Sequence, residues 1–434
     1  MQHNRDGRAP FGRANAGRRS IHPLIGLATA AMAAAAVWSG LGAAGPRAQD
    51  VDAVARGRYL TTLGECGGCH RNDKGPYGGG AVFHTKFGAV AAANISPDNA
   101  TGIGTWSAED FYRALHKGRS KNGAHLYPAF PYPYFTNIAR SDADDLYAYL
   151  RTVAPVSNSP KRNQLMFPFS IRGTMVIWNA LFFREGPFQP DPARPAEWNR
   201  GAYIVQSLAH CGACHSPKNF LEADSRSRPF QGGMIEGWFA PNLAADPRTG
   251  LGDWSHDDLV QFLKTGRNRT TAAGGLMANV VQGSVVQFRD TDVEAVATYI
   301  KSLPPSAPPR PVTVDPAVMS RGQAVYAANC ASCHDKGAAG EAPDLPPLAG
   351  SPSVQAGNPT TLVRYVLNGT STAKTPAHPQ AQAMEGYAAK LDDRQTADVL
   401  TYIRNAWGNS APVVKAGQVA KVRAKTAPAA QARG

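Results

Sequence analysis

Cysteine is scarce in this 434-residue chain, and none of it is spare. All six cysteines lie in three Cys-x-x-Cys-His motifs: Cys66, Cys69 and His70; Cys211, Cys214 and His215; Cys330, Cys333 and His334. Long apolar runs are scarce too. One, over about residues 24–44, nears the length of a membrane span, and no other segment does. There is no dinucleotide-type Gly-rich turn and no further metal cluster. Acids are thin at both ends. Of the net charge of +13, +5 lies in residues 1–49 and +5 in residues 411–434, which leaves +3 for everything between. A basic face for nucleic acid is therefore not supported.

What is present is the motif. Two thiols three residues apart can each add to one vinyl group of a haem, and the next histidine then lies under the iron. The spacing reads as c-type haem attachment, so three covalently bound haem c groups are expected. Two other uses compete. A zinc site needs two pairs to converge, and three pairs leave one orphaned. A thiol–disulfide pair does not need His in the next position three times over.

Three motifs at wide spacing match the length, which suggests three domains of about 150 residues each. Each domain opens on an Arg-Gly lead-in: Arg56-Gly57 with Tyr59, Arg200-Gly201 with Tyr203, and Arg321-Gly322 with Tyr326. Glycine there lets a second helix approach closely. Each domain ends on an amphipathic helix with an acidic first turn and a basic last turn, over 142–153, 290–303 and 392–407. First and last helices are expected to pack together over a haem.

The boundaries read as a signal segment over 1–48, domains over 50–156, 197–303 and 316–410, an interdomain connection over 157–196, a Pro-rich linker over 304–315, and a basic disordered tail over 411–434. Five arginines between Arg5 and Arg19 precede the apolar run, and small residues at Ala43, Ala44 and Ala48 offer cleavage sites. An uncleaved anchor is the alternative. Export to the periplasm suits the cysteines, because bacteria attach c-type haem outside the cytoplasm. The connection is rich in aromatics and Pro. It reads either as packing on both domains or as a docking surface for a partner or a membrane.

An internal repeat ties the first two domains together. Asn94, Thr101, Trp106, Ser107, Asp110 and Gly118 recur as Asn242, Thr249, Trp254, Ser255, Asp258 and Gly266, at a constant offset of 242 − 94 = 148. Ser107 and Ser255 read as helix N-caps, and Gly118 and Gly266 as the C-terminal stops. Trp106 and Trp254 read as core or haem-wall packing.

A sixth iron ligand is usually Met in small electron-transfer cytochromes. Met277 in the second domain and Met384 in the third stand ahead of their last helices and are the expected axial ligands. Met234 lies too early. The first domain has no Met between His70 and Met166. The place matching Met277 is residue 129, beside Phe130, and Phe cannot bind iron. The iron there is five-coordinate, or takes His125, His116 or His84, or takes a ligand from elsewhere. His125 stands closest to the expected place.

These residues carry a resemblance. Segments 94–106, 126–132, 197–215, 242–254 and 391–409 resemble the multihaem cytochrome c subunits of bacterial periplasmic, membrane-associated dehydrogenases, and the likeness covers nearly all of 50–410. In many members the Phe130 position is Met and ligates the first haem, so that ligand is not carried over. Phe there is more similar to the cytochromes that accompany molybdenum hydroxylases. Met277 and Met384 match the family's ligand positions. The resemblance implies an all-α fold of three tandem cytochrome-c-like domains. It implies electron transfer from a catalytic dehydrogenase subunit, of molybdenum, flavin or quinone type, to ubiquinone or a terminal oxidase. It also implies peripheral contact with the inner membrane, and no substrate oxidation by this chain alone. The rival reading is a peroxidase-like enzyme that uses an open position on the first iron, with His125 or His116 as acid–base group.

Overall fold

The computed structural model describes residues 48–307, 312–334, 345 and 347–426. The signal segment up to residue 47, Pro308, Pro309 and Pro311 of the linker, and the last eight residues lie outside the described residues. Three helix pairs organise the rest. Helix Ala48–Leu63 packs on Arg140–Leu150, Ala196–Gln206 on Asp290–Lys301, and Pro316–Asn329 on Asp393–Ile403.

The Arg-Gly lead-ins explain how the pairs close. A Cβ at Gly57 would lie 1.9 Å from the Asp145 carbonyl oxygen, at Gly201 1.8 Å from that of Ala295, and at Gly322 2.2 Å from that of Asp398. No side chain fits, so backbone touches backbone, and this contact offsets the roughly 1 kcal/mol that glycine costs a helix. The arginine beside each glycine then pairs across the crossing, Arg56 to Asp145 at 2.6 Å and Arg321 to Asp398 at 2.7 Å. In the middle domain Ala295 stands where the others have Asp, and Arg200 turns instead to Asp292, 2.7 Å away and one turn earlier.

The repeat folds as its caps dictate. Ser107 with Asp110 and Ser255 with Asp258 form capping boxes at the starts of Ala108–Lys117 and His256–Thr265. Gly118 (φ 59°) and Gly266 (φ 74°) end those helices in the left-handed conformation.

Two expectations need correction. The fold is mostly helical, but among the described residues four small antiparallel sheets accompany the helices, so it is not all-α. The clearest is the hairpin of Gln231–Ile235 and Trp238–Asn242, turned by Glu236 and Gly237 at φ 47° and 75°. Positive φ at both turn residues matches the twist of the flanking strands. The basic tail is also not disordered throughout. Ala416–Thr426 is a helix packed on Thr360–Asn368 and Asp393–Ile403. Val414 and Val419 are buried there with Val422 beside them, and Arg423 pairs with Asp393 at 2.7 Å. Val419 and Val422, one turn apart on the helix, and Val414 just ahead of it outweigh a composition dominated by Lys, Ala and Gly.

The first two domains share one apolar core, in which Leu63 and Leu146 join Leu208 and Val293. The third has its own, around Val363, Leu400 and Val399. It adheres to the second through short backbone pairings: Ala373 N–H donates to the Ala273 carbonyl at 3.1 Å, and Thr361 Oγ1 bonds both to Phe239 N and to Phe239 O at 2.9 Å. In the connection, helix Met175–Phe182 buries Met175 and Trp178 against Tyr127, Tyr132 and Ala223 of both neighbouring domains, and leaves its other face exposed.

Candidate haem-attachment centres

Each Cys-x-x-Cys-His motif forms one short helical turn directly after its lead-in helix: Cys66–His70, Gly212–His215 and Ala331–His334. Helical spacing puts thiols at i and i+3 and the imidazole at i+4 on one side. Burial pushes the Cys66, Cys69 and Cys211 thiols up to about 12 and those of Cys214 and Cys330 to about 11. A redox dithiol acts through its thiolate, so these pairs are poorly suited to disulfide exchange. Among the described residues no three His, Cys, Asp or Glu side chains converge on one point, so the geometry of a zinc site is not formed.

The histidines are aimed. His70 Nδ1 lies 2.7 Å from the Ala93 carbonyl oxygen, and His215 Nδ1 lies 2.7 Å from that of Pro241. A carbonyl at Nδ1 accepts a hydrogen bond from the ring N–H, which keeps the proton on Nδ1 and leaves the Nε2 lone pair free for a metal. The two carbonyls are 241 − 93 = 148 residues apart, the repeat offset. The next residue in each case, Asn94 or Asn242, braces the loop: Asn94 Oδ1 accepts from Ser96 N at 2.9 Å, and Asn242 Oδ1 from Ala244 N at 2.8 Å. Their Nδ2 groups donate to Val156 O at 2.7 Å and to Ser306 Oγ at 2.8 Å. Sequence reasoning gives Ala93 and Pro241 no role, because what they contribute is a backbone atom. Their constant spacing is the available signal. His334 Nδ1 is buried without a partner among the described residues.

Trp254 tests whether haem fits. It is buried in the shared core, and its indole N–H has no partner among the described residues. A buried donor left unpaired costs about 1–3 kcal/mol. A haem carboxylate would supply the missing acceptor. Together with the two thiols and the aimed imidazole, this donor set fits a covalently held haem.

The far side of each centre follows the same plan. In the second domain the Ala273 N–H donates to the Gly266 carbonyl at 2.8 Å, and Met277 comes four residues later, partly buried near Phe262 and Val286. In the first domain the Leu126 N–H donates to the Gly118 carbonyl at 2.8 Å, and four residues later comes Phe130. One extra residue in the loop between Gly118 and Leu126 changes the offset from 148 to 147. The structural counterpart of Met277 is therefore Phe130 itself, not residue 129. Phe130 packs beside Phe135, with ring centres 5.4 Å apart. Met384 joins the cluster that holds Cys330, and Tyr387 O–H donates to the Asn329 carbonyl, one residue before that cysteine, at 3.0 Å.

His125 is buried, with Nδ1 3.3 Å from Asn179 Nδ2 and Nε2 unpartnered among the described residues. His116 stacks on Tyr112 at 4.8 Å, and its Nδ1 lies 3.6 Å from Glu185. The first two motifs also face each other's distal segments. Helix Cys66–His70 packs on Gly275–Gly283, and a Cβ on Gly212 would lie 2.6 Å from the Tyr134 hydroxyl.

This geometry can be set beside known proteins. The Cytochrome c family profile matches residues 54–154 and 319–407. The cytochrome c subunit of a quinone alcohol dehydrogenase from Komagataeibacter europaeus is 39% identical, over 86% of this chain and 85% of its own. The gluconate 2-dehydrogenase cytochrome c subunit of Pantoea cypripedii is 39% identical, over 85% of this chain and 89% of its own. A nicotinate dehydrogenase subunit from Pseudomonas putida is 39% identical over 86% of this chain, which corresponds to 32% of that longer protein.

The chain belongs to the cytochrome c subunits of dehydrogenase complexes. Members of this class transfer electrons and work with a catalytic partner, and the three cysteine pairs are consistent with covalent haems. The profile covers the first and last motifs. The middle one stands outside it but repeats the His–carbonyl geometry of the first. Three relatives named for different substrates match at the same identity, so the likeness fixes the class of subunit and not a substrate.

Proposed function

We propose that this chain is a three-haem electron-transfer subunit, which takes electrons from a catalytic dehydrogenase subunit and delivers them to ubiquinone or a terminal oxidase. It works in the periplasm, in peripheral contact with the inner membrane. The observation that carries the reading is the repeated aiming of His70 and His215 by the Ala93 and Pro241 carbonyls, directly beside paired thiols. Haem, when bound, supplies the one-electron chemistry. The chain would hold it by Cys66 and Cys69, Cys211 and Cys214, and Cys330 and Cys333, with His70, His215 and His334 as iron ligands. Met277 and Met384 would be further ligands in the second and third domains, where a soft thioether favours the reduced metal. Trp254 would give a hydrogen bond, and the apolar cores would exclude water. The test is haem content together with electron paramagnetic resonance of the oxidised protein. Three haems per chain, with at least two low-spin signals of His/Met type, are expected. One or two haems per chain would refute the reading.

A second reading, a peroxidase-like enzyme, is favoured by one observation: Phe130 stands in the place that Met277 takes in the repeat. It calls for peroxide turnover by the purified protein that is abolished in Phe130→Met. The absence of turnover removes it.

A further inference from the structure

The connection carries a feature that electron transfer does not use. From Met166 to Leu181 the exposed side chains are apolar except for Ser170 and Arg172. Phe167 is 79% exposed, Ile177 66% and Leu181 58%, with Met166, Ile171 and Val176 beside them. Helix Met175–Phe182 buries Met175 and Trp178 and turns Val176, Ile177 and Leu181 outward, so it is apolar on both faces. A soluble surface helix normally shows solvent a polar face. A contiguous exposed apolar patch of this kind marks an interaction site.

Charge says what covers it. Cations bracket each apolar stretch: Lys161 and Arg162 before Met166, Arg172 between Ile171 and Val176, and Arg184 after Leu181. Among the described residues Lys161, Arg162 and Arg184 have no ion pair. The one acid of the stretch, Glu185, is already matched by Lys117 at 3.2 Å. Protruding aliphatic and aromatic tips edged by unpaired cations suit the boundary between acyl chains and anionic headgroups. No helix among the described residues is long and apolar enough to cross a membrane, and this one has eight residues. Its insertion is therefore shallow.

We propose that this face is a lipid-docking surface, seated on an anionic bilayer. The assignment rests on the peripheral-membrane part of the proposed function and names its site. The anchor is coupled to the first centre. Asn179, on the same helix, accepts from the Tyr132 hydroxyl at 2.5 Å and meets His125 at 3.3 Å, and Trp178 N–H donates to the Leu221 carbonyl of the second domain at 3.0 Å. Docking thus brings the Phe130 side of the first domain toward the lipid.

The test is co-sedimentation of the haem-loaded chain with vesicles of phosphatidylglycerol and phosphatidylcholine in equal parts, against phosphatidylcholine alone. Binding to the anionic vesicles that weakens with salt is expected. The pair Ile177→Asp and Leu181→Asp should lower that partition about tenfold or more, with the haem spectrum unchanged. Because both side chains are exposed, folding is spared. The variant Lys161→Gln, Arg162→Gln and Arg184→Gln should lose only the anionic preference. Equal binding by the aspartate pair would overturn the surface assignment. Failure of the wild type on both vesicles would overturn the peripheral-membrane reading itself. An aspartate pair that keeps its vesicle binding but no longer binds the purified catalytic subunit would give the face to a protein partner and reject the proposal.

Discussion

The Tyr59 hydroxyl of the first domain donates to Asp292 of the second at 2.7 Å, and the Tyr203 hydroxyl of the second returns the bond to Asp142 of the first at 2.6 Å. The pairs are crossed copies of one another. Each tyrosine also accepts a backbone N–H from the partner domain, Arg289 N at 2.9 Å and Ala139 N at 3.2 Å. Tyr59→Phe and Tyr203→Phe should each destabilise the pair of domains by about 1–2 kcal/mol, because a carboxylate loses a donor at a partly buried site. Guanidinium unfolding of the holoprotein checks this. A change within error for both variants would mean that the shared apolar core alone holds the domains.

Asn242→Ala should loosen the loop that presents the Pro241 carbonyl. The expected outcome is a higher reduction potential for one haem and unchanged potentials for the other two, read by spectroelectrochemical titration. The direction follows because the Pro241 carbonyl at His215 Nδ1 makes the imidazole a stronger donor, and a weaker hydrogen bond there would favour the oxidised metal less. Asn94→Ala should act on a different haem. If both variants shift the same haem, the pairing of each loop with its own centre is wrong.

Phe130→Met should convert a high-spin signal to low spin if the first iron lacks a sixth ligand, and Met277→Phe should create a high-spin signal in the second domain. His125→Ala separates the remaining case. If His125 ligates, the wild type shows three low-spin haems and this variant loses one. Electron paramagnetic resonance of the three variants reads all of these outcomes.

Val419, on the C-terminal helix, is fully buried. Val419→Ala should destabilise the third domain by about 1–2 kcal/mol, through lost burial and the small cavity left behind. Limited proteolysis of the holoprotein should cut ahead of residue 416 in the variant sooner than in the wild type. Equal cleavage rates would mean that the tail helix adds nothing to the fold.

Glu65 gives a pH prediction. Burial raises its carboxyl from the ordinary value of 4.5 to about 7. The folded chain therefore holds a proton that the unfolded chain releases between those values. This contribution to stability is complete below pH 4.5 and is lost as pH rises through about 7. Glu65→Gln should flatten that part of the stability profile and raise stability at pH 8. A parallel downward slope in both proteins would show that another group titrates.

The sequence was most legible where chemistry needs particular side chains at fixed spacing. The capping serines Ser107 and Ser255 and the glycines at 57, 201 and 322 do in the structure what their types demand, and the three motifs form the short helical turns that their spacing calls for. It was least legible where backbone does the work. Ala93 and Pro241 act through carbonyls, and nothing in their side chains announces it. The Glu236-Gly237 turn carries only half of a hairpin signal, because Glu, unlike Asn or Asp, is not a favoured residue at the positive φ it adopts there. The tail misled because its Lys and Ala content hid three valines that join the third domain's core. Arg404 looked like a charge at the end of a helix dipole. It is instead fully buried, donating to the carbonyls of Val354, Ala356 and Pro412, and burial pulls it down to about 10.

The crossed tyrosine bonds set how the first two centres meet. Separate one-haem proteins would have to diffuse, collide and orient for every electron passed between them, at a rate that falls with dilution and shifts with salt. Here that encounter is completed once, when the chain folds. In the proposed function, passage between the first two centres would then be a first-order event, indifferent to protein concentration, and within a complex with the catalytic subunit only the exchange with the acceptor would remain subject to collision.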